Sequence, residues 1–220
     1  MMRGASVIFI AALTLCCEAP ESAPSVAPEV SPDQNAGGAG VPPAITAVRQ
    51  VEVGRGGIGA AQAGMTVAEI RRVLGPDLKL GELNDRFMVD LIAIPVLRGQ
   101  DTLFYLVFPA DESPNEQSVP EMAVTDHPEV RTRERIGPGS TLAEAAATYG
   151  SPKLSYSADD EMREYATFPA YRHSNVAFRV APGDTVFLAG RYEREGSYGE
   201  TADFDPDARI MMVLVGLRRF

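Results

Sequence analysis

The sequence predicts an α+β fold of two tandem repeats, each a short capped helix packed on antiparallel strands, after a signal peptide and a disordered linker. Three observations lead there. A twelve-residue segment occurs twice, Gly64 to Gly75 and Gly139 to Gly150, and the copies align without gaps. Each copy carries start and stop signals for a helix. Each is followed by strand-like runs separated by turn residues.

The helices come first. Thr66 with Glu69, and Thr141 with Glu144, make the S/T-x-x-E capping box. In that box the threonine oxygen accepts a free first-turn N–H and the glutamate reaches back to the cap N–H. Val67, Ile70 and Leu74 fall on one face at i, i+3 and i+7, as do Leu142, Ala145 and Tyr149. Gly75 and Gly150 are expected to end the helices in a left-handed conformation, with Pro76 and Pro152 preventing continuation. Two turns of helix are marginal alone and must lie on a sheet.

The strands follow. In the first unit, 87–96 and 102–108 flank Leu97-Arg98-Gly99-Gln100-Asp101 as a hairpin, and 121–125 adds a third run. In the second, 153–156, 163–168, 175–181 and 185–189 precede a closing run at 209–215, with Pro182-Gly183-Asp184 as a turn. The expected boundaries are 48–133 for the first unit and 134–220 for the second. The duplicated helix followed by antiparallel strands resembles the fold of β-lactamase inhibitor protein. It is also similar to the small lipoprotein of the outer-membrane β-barrel assembly machinery, which carries one such unit. The inhibitor family has disulfides within its units and this chain has no cysteine there. The resemblance therefore implies an architecture, not lactamase inhibition.

Residues 1–17, MMRGASVIFIAALTLCC, place Arg3 before an apolar run from Ala5 to Leu15. That run is too short to cross a bilayer and suits a signal peptide. Residues 18–47 contain Pro20, Pro24, Pro28, Pro32, Pro42 and Pro43, and read as an extended, disordered tether. A signal ending in cysteine before a Pro-rich stretch resembles a bacterial lipoprotein precursor. The resemblance implies lipidation at Cys17 or Cys16, export, and anchoring in the cell envelope. These are the only two cysteines, and as vicinal residues they cannot staple the fold.

Composition excludes some functions. The net charge is −10 and no Lys/Arg-rich run exists, so nucleic acid is not the expected partner. Gly54-Arg55-Gly56-Gly57-Ile58-Gly59 fits G-x-G-x-x-G, but the marked helix begins only at Thr66, so it reads as a flexible lead-in. Asp203-Phe204-Asp205-Pro206-Asp207 alternates carboxylates, yet Ala208 and Leu214 stand where a calcium loop needs Gly and Glu. There is no H-E-x-x-H, C-x-x-C or G-x-S-x-G, and only His127 and His173 as histidines. No catalytic residue, metal ligand or cofactor is expected.

What remains is a membrane-anchored, non-catalytic module that binds a protein or ligand, with an envelope protein as the expected partner; the alternatives are a structural component of an envelope assembly and an envelope hydrolase that carries no recognised motif. Its contact residues are expected at Tyr156, Tyr165, Tyr171, Arg172 and His173, because tyrosine and arginine combine area with a polar end. Tyr165 and Phe168 are three apart, so a regular strand sends them to opposite faces.

Overall fold

The computed structural model describes residues 51–54, 56–171, 173, 175–181, 188–193 and 196–218. The signal peptide 1–17, the tether 18–47, Arg172 and most of the expected strand at 185–189 lie outside them.

In chain order the strands are β1 (Glu52–Gly54), β2 (Gly57–Ile58), β3 (Ala61–Gln62), β4 (Leu78–Leu80), β5 (Asn84–Met88), β6 (Leu91–Arg98) and β7 (Asp101–Pro109). They continue as β8 (Met122–Thr125), β9 (Arg131–Thr132), β10 (Lys153–Ser157), β11 (Arg163–Thr167), β12 (Val176–Ala181), β13 (Tyr198–Thr201) and β14 (Arg209–Gly216). Helix α1 is Val67–Val73 and helix α2 is Leu142–Tyr149.

The fold is a mostly antiparallel β-sheet structure, which corrects the expected α+β class. One ten-stranded sheet dominates, in the order β13-β10-β11-β12-β14-β8-β7-β6-β4, with β5 also paired to β6. A second, four-stranded sheet has the order β3-β2-β1-β9. The physical reason is proportion. The helices are seven and eight residues long and bury only Val67 and Ile70, and Leu142, Ala145 and Tyr149. Most other core side chains belong to strands, among them Phe104, Leu106, Phe108, Phe178, Ile210 and Val213. Capping boxes are conspicuous in a sequence and strands of two or three residues are not, so the sequence displays the helices more plainly than the sheet. The glycine-rich segment after β1 is part of the small sheet, with Val53 opposite Ile58 and Ile58 opposite Ala61.

Both capping boxes are present. The Thr66 hydroxyl accepts from the Glu69 amide at 3.3 Å, and the Glu69 carboxylate accepts from the Thr66 amide at 2.8 Å. The corresponding distances at Thr141 and Glu144 are 3.1 and 2.9 Å. The stops differ from each other. Gly150 has φ +85°, a conformation other residues resist, whereas the positive φ expected at Gly75 is not found there.

Strand order after the two helices is the same. After α1 the sheet runs β4-β6-β7-β8, and after α2 it runs β10-β11-β12-β14. The last strand of each run, β8 and β14, pairs with the other and joins them into one surface. Both helices and the small sheet pack into one apolar cluster with the inward side chains of this large sheet. The opposite, outer side carries a separate cluster contributed by strands alone.

Candidate functional site

Strand alternation sets what the outer face presents. On β12, Val176, Phe178 and Val180 are buried inward, which turns Ala177 and Arg179 outward. Register then places Ala177 opposite Leu214, Leu214 opposite Val124, Val124 opposite Tyr105 and Tyr105 opposite Pro95. These five residues form a row across five strands. A second row passes through Met122, Val107 and Ala93. Val124, Val107 and Ala93 are buried on this face, covered by half-buried Phe87, Leu91, Tyr105, Met122, Met212 and Leu214. Phe87 leans on Tyr105 with ring centroids 4.6 Å apart. An antiparallel sheet commonly turns a polar side to water; the middle of this one is apolar.

Tyr165 borders that surface, half-buried, opposite Arg179, which is itself opposite Met212. The guanidinium Nη1 of Arg179 lies 4.0 Å from the Met212 sulfur. Among the described residues it forms no ion pair. Burial, reinforced by the Asp160 carboxylate, pushes the Tyr165 hydroxyl up to about 12.

Tyr156 does not join Tyr165. It points to the helix-bearing side, is buried, and meets Tyr192 edge-on at 4.6 Å. Beside it stands Glu164, a residue that belongs to no sequence motif. The residue is 3% exposed, and its carboxylate accepts from the Ala189 amide at 2.6 Å, the Gly190 amide at 2.8 Å and the Tyr192 hydroxyl at 2.6 Å. The signal was parity, because Glu164 is in phase with Ala166 and Phe168, both buried. A carboxylate with this many donors is a structural anchor for the 189–192 segment.

Tyr171 and His173 come together elsewhere, at a cleft of about 390 Å³ beside the C-terminal end of α2. Glu134, Thr148, Tyr149, Gly150 and Ala170 complete its lining. The Tyr149 and Tyr171 rings are 4.4 Å apart, and the His173 ring meets Tyr171 edge-on at 4.8 Å. The Tyr149 hydroxyl lies 2.5 Å from the Thr132 hydroxyl and donates to Glu134 Oε2 at 3.0 Å. Burial raises the pKa of Tyr149, and burial with the Glu134 and Glu52 carboxylates pushes Tyr171 up to about 12. The five expected contact residues therefore divide: Tyr165 on the outer face, Tyr171 and His173 at the cleft, Tyr156 in the interior, and Arg172 outside the described residues.

No group of three or more His, Cys, Asp or Glu residues suited to a metal ion occurs among the described residues. Nor is any helix there long and apolar enough to cross a membrane. No family model matches the chain, and no curated protein matches it. Among solved structures it is similar to the crystal structure of the uncharacterized protein yfeY from Escherichia coli. That likeness has 10% identity and a TM-score of 0.45, over 76% of this chain and 99% of that one.

Proposed function

We propose that the chain is a lipid-anchored envelope protein whose folded part is a non-catalytic binding module, holding a protein partner on the outer face of its large sheet. The anchor rests on Cys16 and Cys17, placed between a signal-like apolar run and a Pro-rich stretch. The binding role rests on one observation, the apolar row Ala177–Leu214–Val124–Tyr105–Pro95 on a face to which no helix contributes. Half-buried Met122 and Met212 add polarisable, adaptable area to it.

Arg179 narrows the occupant. A half-buried guanidinium with no ion pair among the described residues, next to an apolar row, is complementary to a carboxylate beside apolar side chains. The occupant is an apolar segment of another envelope protein carrying an Asp or Glu placed for Arg179.

The test uses the full chain in cells, with a photo-crosslinking residue at Met212 and, as control, at Val73 on α1. The reading expects one discrete adduct from Met212 and none from Val73, lost on Arg179→Glu or Leu214→Asp while the melting temperature holds. Adducts that are equal from both positions, or indifferent to both substitutions, refute the face. Incorporation of labelled palmitate, abolished by changing Cys16 and Cys17 to Ser, tests the anchor. A soluble, unlabelled chain beginning at Met1 refutes it.

A further inference from the structure

The cleft beside α2 is not part of the outer sheet face, and its chemistry differs. The Tyr171 ring lies 4.4 Å from the Tyr149 ring and 4.8 Å from the His173 imidazole, and Glu134 contributes to the lining. One oxygen of Glu134 is used by the Tyr149 hydroxyl. The carboxylate forms no ion pair among the described residues, although three arginines are close in sequence. Of these, Arg131 is occupied. It donates to the carbonyls of Pro128, Arg135 and Pro138 and to the Ser140 hydroxyl. Burial is the main cause that holds back the ionisation of Tyr171, and the Glu134 and Glu52 carboxylates add to it.

The Nδ1 of His173 is enclosed and has no hydrogen-bond partner among the described residues. A buried nitrogen left this way is costly. A turn of the imidazole that presents it to the cleft would offer a lone pair there, in the Nε2–H tautomer.

We infer that this cleft is a binding site for an organic primary ammonium ion, seated against the Tyr171 ring and hydrogen-bonded to Glu134 and His173. A cation is favoured over an aromatic face, and more so where water is partly excluded. A carboxylate adds a charge-assisted hydrogen bond. A quaternary ammonium would take the first interaction but has no N–H to give the second or to satisfy Nδ1. An anion would meet the Glu134 carboxylate, and a neutral alcohol would gain no charge term. The volume suits a small organic body. The site is independent of the sheet face, so either can fail without the other.

The experiment is a titration of the full chain in detergent with n-butylammonium, followed by the backbone amide resonances of Thr148 and Gly150 and the Nδ1 resonance of His173. Tetramethylammonium, n-butanol and butyrate are titrated in parallel. Saturable binding of n-butylammonium, with the two amides and Nδ1 shifting together, is expected, and the other three bind more weakly. Glu134→Gln should weaken it about ten-fold and Tyr171→Leu about five-fold, since each removes one charge-directed contact. Both residues border the cleft, and the unliganded amide spectrum of each variant reports whether the fold is kept. Butyrate or butanol binding as well as the amine overturns the inference, as does an affinity within about two-fold of wild type in folded Glu134→Gln. Equal binding of tetramethylammonium overturns the N–H recognition. Absence of saturable n-butylammonium binding overturns the site.

Discussion

Leu214 of β14 lies directly opposite Val124 of β8, and this pair sits on the seam where the strands following α1 meet those following α2. Val124 is buried although it points away from both helices. Val124→Ala should therefore destabilise by about 2 kcal/mol, a core-like value. Leu214→Ala, from a half-buried position, should cost about 1 kcal/mol. A double-mutant cycle by urea denaturation should return a coupling of about 0.5 kcal/mol, as directly opposed side chains do. Full additivity would mean that the two do not pack.

The two helix stops should respond differently to the same substitution. Gly150→Ala forces a side chain onto φ +85° and should cost at least about 1 kcal/mol. A Cβ at Gly75 would meet nothing within 4 Å, and its φ is not in the left-handed region. Gly75→Ala should be neutral or stabilise by up to about 1 kcal/mol, through the unfolded chain. Thermal melts of the two variants, compared side by side, decide this.

Thr66→Ala and Thr141→Ala should each cost about 1 kcal/mol, by loss of one cap hydrogen bond. The Thr66 amide and hydroxyl, followed by Arg72, hold Glu69 below the usual glutamate range. With the folded pKa depressed, this contribution is present above the unfolded value of about 4.3 and disappears as pH falls through the folded one. Stability measured against pH should accordingly fall less steeply on the acid side in Glu69→Gln than in the wild type.

Removing the Glu164 carboxylate leaves two amides and a hydroxyl without their acceptor. Glu164→Ala should cost about 3 kcal/mol, and hydrogen exchange should accelerate at Ala189 and Gly190 ahead of the rest of the sheet. Tyr192→Phe, which removes only one donor, should cost about 1 kcal/mol.

Tyrosine ionisation gives an alkaline test. Burial is the main cause that pushes Tyr165 and Tyr171 up to about 12. For groups with a raised folded pKa, the stabilisation is intact below the unfolded value of about 10 and is lost as pH rises towards the folded one. Absorbance titration should show a late component that shrinks in Tyr165→Phe and again in Tyr165→Phe/Tyr171→Phe. A single transition near pH ~10 would contradict the burial of both rings.

What was legible in the sequence was local. The Thr66–Glu69 and Thr141–Glu144 boxes span three residues each and are formed by backbone geometry alone, so spacing sufficed. The long strands β6, β7 and β14 were readable as largely apolar runs of eight or nine residues, although the expected run 87–96 joined the end of β5 to β6. β4, β9 and β13 were not, since runs of two to four residues have no period of their own and exist only because a neighbour pairs with them. The weight of sheet over helix was lost for the same reason. Faces were half-legible. The parity of Tyr165 against Phe168 was visible, while the inward turn of Tyr156 follows from its phase with Leu154 and was overlooked. The cleft could not be read at all, because Glu134 and Tyr171 meet only through the folding of distant segments.

The pairing of β8 with β14 has a kinetic consequence. The middle of the sheet is assembled from segments remote in sequence, Thr125 with Val213 among them, whereas β6 with β7 and β10 with β11 are near neighbours along the chain. Closing so long a loop is slow, and local hairpins form first. Until residues 209–216 arrive, β8 has an open edge alongside apolar Met122 and Val124, a template for pairing with another chain. The central seam is thus where folding finishes, and the interval before it closes is when the molecule is most exposed to aggregation.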